Sequence, residues 1–386
     1  MIKKDLSKNF ENIIQEIKKD IKNPKKTLNF LDKKFKFKFK IKDLNNFKRF
    51  KTVAIIGMGG SILGSEAIYN VLKKKIKKKI YFFNDLDEEK IINFKKKTNL
   101  SKVLFIIISK SGNTIETLSN SFFLNIIKKN PKNIILIAEK KNNFLFSIAK
   151  KFNIYFVEHN PYIGGRYSVL SEVGVLPAYL MGVNIFKLRS RILECLEKKN
   201  RTFLKNNSIK LANLAESKKF NNIIFLNYSP EFEKFLYWCQ QLIAESLGKK
   251  SKGFLPVISN VPKDHHSLLQ LYLDGPKDKF FNILSLKKQF KERINIKYNR
   301  IVKSFLNKKK LSTVKNAQKK ALIKTFIKKD IPFREFKIEN LKEETLGKLF
   351  SYFIIETIIV GKLLNIDPFS QPAVEQVKNY TKKFLT

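Results

Sequence analysis

The stretch VLFIIISKSGNTIETLSN, residues 103–120, decides how the chain reads. A continuously apolar run stops at Ser109, Lys110, Ser111, Gly112, Asn113 and Thr114. Apolar residues then return at Ile115, Leu118, Phe122 and Phe123, with spacings near three and four. An apolar strand feeding a helix through a polar turn is the unit of a parallel sheet covered on both faces. In such sheets ligands sit at the carboxyl ends of strands, where free helix N–H groups and the helix dipole attract anions. Ser109, Ser111 and Thr114 add hydroxyl donors, and Gly112 lets the backbone approach closely or take a positive φ. The turn therefore has the chemistry of a phosphate cup. An ordinary turn capped by Ser or Thr fits these residues equally well when they are taken alone.

The same unit repeats on either side of this stretch. Strand candidates are 52–57, 79–84, 103–109, 133–138 and 153–157, with helical patterns at 63–75, 87–96, 115–128 and 142–151 between them. This predicts one doubly wound α/β domain over about 46–185. A second series follows, with strands at 222–229, 253–259 and 280–286, a long helix over 231–247 and a helical pattern over 308–328. It predicts a second α/β domain to about 340, followed by a mainly helical end. The segment KFKFKFKIK (34–42) alternates with period two and reads as a strand whose lysines face solvent and discourage edge pairing.

Bulk composition narrows the function classes. The chain has 386 residues, 43% of them hydrophobic and 35 of them Phe, enough for two domains with a large core. Two cysteines, Cys195 and Cys239, build neither a disulfide scaffold nor a zinc site and fit a reducing cytoplasm. The N-terminal MIKKDLSKNFENIIQEIKKD has no uninterrupted apolar core and does not read as a secretory signal. LFSYFIIETIIVGKLL (349–364) is broken by Glu356 and Lys362 and falls short of a bilayer span, so no membrane partner is expected. The net charge is +45, but the excess is Lys spread along the whole chain, with few Arg. Lys, Ile, Asn and Phe are inflated together, the mark of A/T-rich codons. No nucleic-acid partner is expected, since base and phosphate readers favour Arg.

A second loop sharpens the first. IIGMGGSILGSEA (55–67) also lies between an apolar strand and a helix. Gly57 and Gly59 start a dinucleotide fingerprint, but Ile62 stands where the third glycine belongs, and no Gly-Lys-Ser/Thr follows. Gly59, Gly60 and Ser61 remain, offering close backbone approach and one hydroxyl. Two such loops facing one crevice favour a small anionic ligand over a dinucleotide.

At this point a resemblance emerges. GMGGSILGSE (57–66), SKSGNTIET (109–117), GGRYSVLSEVGVLPAYLMG (164–182), QQLIAESLGKKSKGFLPV (240–257), KDHHSLLQLYLDGP (263–276) and NIDPFSQPAVEQVKNYTKKFL (365–385) stand in one order along more than 300 residues. Together they resemble the glucose-6-phosphate isomerase family. The resemblance implies two doubly wound, parallel-sheet sugar-isomerase domains of flavodoxin-like type, 46–185 and 186–340, between helical segments 1–45 and 341–386. It implies interconversion of glucose 6-phosphate and fructose 6-phosphate through ring opening and an enediol proton transfer. Many members carry Phe-Thr where this chain has Gly112-Asn113, and many are longer.

The resemblance also assigns residues. Ser109, Ser111 and Thr114, with Lys110, Gly60 and Ser61 nearby, anchor the phosphate, and binding there orients the reacting carbons. Glu245 is the base. Leu242, Ile243, Ala244 and Leu247 around it predict a desolvated carboxylate, although a solvated helical glutamate is the commoner reading of such a residue. Gly165 and Arg166 face the developing enediolate, where Arg supplies fixed positive charge; a structural ion pair is the alternative. Of the three histidines, His266 matches the ring-opening group, His265 a variable position, and His159 is read as structural. Lys378, framed by Gln371, Glu375 and Tyr380, matches the ring-opening lysine, and Gln241 orients substrate. The histidine of this family enters from a neighbouring subunit, so a homodimer with shared sites is implied. No cofactor or metal is called for, there being no His/Asp/Glu cluster at ligand spacing. Two rivals stay open from the sequence: an isomerase that also acts on mannose 6-phosphate, and a non-catalytic sugar-phosphate sensor. A sensor has no reason to keep Glu245, Arg166, His266 and Lys378 together.

Overall fold

A computed structural model describes residues 2–287, 291–296 and 305–385. The chain opens with α1 (Ile2–Lys22) and the short α2 (Ile41–Leu44), then alternates β1 (Thr52–Gly57), α3 (Leu63–Leu72), β2 (Lys79–Phe83), α4 (Glu88–Lys97), β3 (Val103–Ile108), α5 (Ile115–Phe123), β4 (Ile134–Ala138), α6 (Phe144–Phe152) and β5 (Tyr155–Glu158). The five strands pair in parallel in the order β2-β1-β3-β4-β5. That is the flavodoxin-like doubly wound order, which places a crevice between the first and third strands. Both are buried along nearly their whole length, as their unbroken apolar sequences require.

Helices α7 (Glu172–Met181), α8 (Ile185–Arg189) and α9 (Lys198–Glu216) lead to a second unit. It runs β6 (Asn222–Asn227), α10 (Glu233–Leu247), β7 (Leu255–Asn260), α11 (His265–Asp274), β8 (Lys279–Leu286), α12 (Leu311–Lys328) and β9 (Phe333–Ile338), with parallel strand order β7-β6-β8-β9. α13 (Glu343–Leu363) and α14 (Glu375–Leu385) close the chain. The first four strands of each sheet thus share one topology.

α13 explains the apolar run at 349–364. It is buried almost all round, with Phe350, Phe353, Ile354, Ile355, Ile358 and Ile359 in one core with Val53 and Ile55 of the first sheet and Ile223 and Phe225 of the second. Glu356 is tolerated there because the buried Arg334 of β9 meets both its carboxylate oxygens. No helix among the described residues is long and apolar enough to cross a membrane.

Three expectations need correction. Residues 34–40 form no strand. A strand needs a neighbour for its backbone groups; here the Lys38 N–H donates instead to the Glu172 carboxylate at 3.0 Å. The aromatic rings pack inward, Phe37 stacking on Phe39 at 5.0 Å with Arg189 over Phe35 and Phe37. α5 ends at Phe123 rather than near 128, since Asn125 takes a positive φ of 54°. β9 was not expected, because FREFKI carries charge at a buried position, Arg334, whose partner Glu356 lies far along the chain.

Candidate active site

The strand ends at β1 and β3 are neighbours, Gly57 pairing with Ile108. From β3 the chain turns through residues 109–114, and the Ser109 N–H donates to Ile137 O at the end of β4. Gly112 sits at φ +70°, and a Cβ there would come within 1.9 Å of Asn143 Oδ1. The turn is therefore pressed against the N-cap of α6 at a position only glycine can fill. Asn113 completes the attachment, its Oδ1 accepting the Phe144 N–H at 2.9 Å. The pair Gly112-Asn113, unusual for the resemblance, thus ties the cup to α6.

Within the cup, Ser109 Oγ and Thr114 Oγ1 are 2.8 Å apart. Thr114 is the N-cap of α5 but makes no side-chain cap bond, and Asn113 N–H donates to Ser111 Oγ at 3.2 Å. The first turn of α5 therefore offers N–H groups that no cap satisfies, beside two hydroxyls, which suits an anionic oxygen. Lys110 is half-buried; its Nζ donates to Pro161 O at 3.0 Å and lies 3.7 Å from Glu139. Burial holds this ammonium below the usual lysine range against the pull of Glu139, and the Arg166 charge acts in the same direction as burial. Lys110 thus feels the second half of the site.

That half begins where Gly60 meets Gly165. A Cβ on Gly60 would fall 2.2 Å from the Gly165 carbonyl carbon, so the β1–α3 turn and the 165–170 turn touch backbone to backbone. Next in sequence, Arg166 is 2% exposed. Its Nε donates to Ser246 Oγ (2.9 Å), Nη1 to Glu245 Oε2 (3.2 Å) and Gln371 Oε1 (2.6 Å), and Nη2 to Pro368 O (2.7 Å) and Ser370 O (3.1 Å). Every N–H of the guanidinium has a partner, and the contact to Glu245 is the longest. Gln241, one turn before Glu245 on the same face of α10, donates from Nε2 to Glu245 Oε1 at 2.9 Å. The Glu245 side chain is 32% exposed. The apolar surroundings expected around it belong to its neighbours: Leu242, Ile243 and Leu247 are buried in the core. Glu245 stands among polar partners at the surface of a crevice.

The structure does not bring His266 or Lys378 to this cluster. α10 begins beside the end of β7, where Asn260 Nδ2 donates to Glu233 Oε1 at 2.7 Å. α11, which carries the exposed His266, starts at that same end. Glu245 is twelve residues further along α10, about 18 Å down its axis. His266 of the same chain therefore lies a helix length from Glu245. Lys378 is exposed on α14 and pairs with Glu375, Nζ to Oε1 2.7 Å. His159 is buried, with Nδ1–H donating to Asn160 O at 2.9 Å, and burial pushes its pKa down to about 4.

Two residues of the cluster were not singled out from sequence, Tyr167 and Ser246. Tyr167 Oη lies 2.8 Å from Ser246 Oγ and 2.7 Å from Pro368 O, all three groups buried. The available signal was a serine at a core-facing position of α10 between Ile243 and Leu247, and a tyrosine directly after the arginine.

The profile of the family described as phosphoglucose isomerase matches residues 15–261. A glucose-6-phosphate isomerase of Methanocaldococcus jannaschii is 33% identical over 359 residues, covering 88% of this chain and 84% of the relative. One from Campylobacter jejuni is 30% identical over 374 residues, covering 93% and 90%. Among solved structures, a hypothetical protein from Thermus thermophilus superposes with TM-score 0.85 at 22% identity over 99% of this chain and 97% of its own. A glucose-6-phosphate isomerase from Chlamydia trachomatis superposes with TM-score 0.73 at 17% identity over 88% and 71%. The last two speak to the fold alone.

Proposed function

Starting from a chain that belongs to the phosphoglucose isomerase family and interconverts glucose 6-phosphate and fructose 6-phosphate, we propose how its residues divide the work. The phosphate rests in the 109–114 cup against the first turn of α5, and Ser61 lies on the neighbouring loop. Glu245 takes the proton from C2 of the open aldose and returns it to C1, giving the ketose. The enediolate oxygens between these steps meet Arg166. The observation that carries this reading is the shared contact of Arg166 Nη1 and Gln241 Nε2 with the two Glu245 oxygens, at 3.2 and 2.9 Å.

That contact gives the order of events. Arg166 has no spare donor, so a substrate oxygen must displace one acceptor. The Glu245 contact is the longest of the five. Its exchange frees Oε2 to act as base and turns the released N–H toward the oxygen that gains charge, so one displacement arms both groups. Gln241 keeps Oε1 fixed meanwhile.

His266 and Lys378 serve ring opening, with His266 supplied by a second copy in a homodimer. Two observations support this. His266 lies a helix length from Glu245 in its own chain, and α14 leaves Val377, Tyr380, Phe384 and Leu385 exposed along one side, as a helix with a missing neighbour would. For the division of the chain we propose 46–185 and 186–340 as the two sugar-isomerase domains. A cytoplasmic site fits the two free cysteines. The test is turnover of fructose 6-phosphate, read as glucose 6-phosphate through a coupled dehydrogenase. Wild type should be active and Glu245→Gln should lose about a thousandfold in kcat. Activity of the variant within tenfold of wild type would remove Glu245 as the base.

A further inference from the structure

Removing a proton from carbon needs the Arg166 charge in one place, yet the 165–170 turn alone does not hold the guanidinium there. Its Nε and Nη2 edge faces away from Glu245, onto Ser246 Oγ and the carbonyls of Pro368 and Ser370. Hydrogen-bond direction in this corner follows by elimination. Arg166 Nε can only donate, so Ser246 Oγ accepts there. Tyr167 Oη has one hydrogen, and Pro368 O can only accept, so that hydrogen goes to Pro368. The 2.8 Å contact between the hydroxyls then runs from Ser246 to Tyr167. The result is a one-way chain from Arg166 through Ser246 and Tyr167 to Pro368 O. A direct bond from Arg166 Nη2 to the same oxygen closes it into a ring.

Each hydroxyl in the ring has a single compatible orientation, and burial raises the Tyr167 pKa, which keeps its proton in place. Ser246 is fully buried and its neighbours Ile243 and Leu247 are apolar, so no water can replace it without a cavity. The Tyr167 ring also carries the guanidinium at 5.0 Å and packs on Phe369 at 5.6 Å. Lys249 adds a second tie, donating to Asp367 O at 2.6 Å and Ser246 O at 3.0 Å.

We infer that Ser246 and Tyr167 are positioning residues: they form a bracket that fixes the Arg166 guanidinium edge-on to Glu245 and latches the 366–371 turn, and with it Gln371, onto the site. Neither touches substrate, and both act through Arg166. The bracket rests on the reading that Arg166 meets the enediolate, and it adds the reason why Arg rather than Lys is needed: a lysine ammonium cannot bond Ser246, two carbonyls, Gln371 and Glu245 together.

The test compares Ser246→Ala and Tyr167→Phe with wild type, in kcat, KM and amide hydrogen exchange of residues 366–371. Ser246→Ala should lower kcat about ten- to a hundredfold and leave KM within about threefold, since the phosphate cup is untouched. Tyr167→Phe, which keeps the ring and the direct Arg166–Pro368 bond, should lower kcat about tenfold. Both should speed exchange in 366–371. The double variant should lose less than the product of the two, because one chain is broken twice. Either variant folded and within twofold of wild type in kcat, or with KM raised while kcat holds, overturns the bracket. An inactive wild type or an active Glu245→Gln overturns instead the assignment on which the bracket rests, so the two failures separate.

Discussion

The proposed inner and outer halves of the site differ in how firmly this chain holds their side chains. In the inner half, Arg166 has all its donors occupied, Glu245 has a partner on each oxygen, and Gly60 touches Gly165 without side chains between them. In the outer half, His266 and Lys378 are exposed, and the hydrogen bond formed by Lys378 is to Glu375, one turn away on its own helix. A catalytic group must be held by more than its own flexible stem. The inner half meets that condition in one chain; in the proposed dimer a second surface over α11 and α14 would supply it for the outer half.

The largest effect is expected at Glu245. Glu245→Gln keeps an acceptor for Arg166 and removes the proposed base, so kcat should fall about a thousandfold while the melting temperature stays near that of wild type. A large loss of stability instead would mean that the carboxylate serves the fold. Arg166→Lys comes next. It keeps the charge but gives up the fork, and a loss of about a hundredfold in kcat is expected, with faster exchange in 366–371. Retention of wild-type kcat would show that the charge alone suffices.

A smaller effect lies outside both halves. The His159 pKa of about 4 stands below the ordinary 6.5 of an unfolded histidine. The unfolded chain therefore binds this proton first. Its contribution to stability is complete above pH 6.5 and is lost as pH falls from 6.5 toward 4, by about 3 kcal/mol at most. In His159→Asn, whose amide can still donate to Asn160 O, the fall in melting temperature between pH 7 and 4.5 should be shallower than in wild type. Equal slopes would contradict it.

Much of this is legible in the chain. β1 reads as 52–57 and is found there, and β2, β3 and β4 agree within a residue at either end, because buried parallel strands are unbroken apolar runs bounded by polar turns. The inner site is legible for a different reason: Gly60, Gly165, Arg166, Gln241, Glu245 and Gln371 lie in motifs, and the fold brings these together. Reading fails where a distant partner changes the meaning of a local pattern. KFKFKFKIK alternates like a strand, yet its backbone bonds to Glu172 and its rings pack under Arg189. FREFKI looks too charged for a central layer until Glu356 supplies the counter-charge for Arg334. Ser246 and Tyr167 are easily passed over because their value lies in Pro368, more than a hundred residues away.

The most direct measurement mixes two inactive forms. Unfolded Glu245→Gln and His266→Ala chains are refolded together and the heterodimer is demonstrated. Each hybrid would hold one site with both groups intact and one with neither. With random pairing, half of the dimers are hybrids with one working site, so activity should return to about a quarter of wild type. Demonstrated hybrids with no more activity than the separate parents would contradict a site completed by the partner, and with it the division between an inner half made by one chain and an outer half made by two.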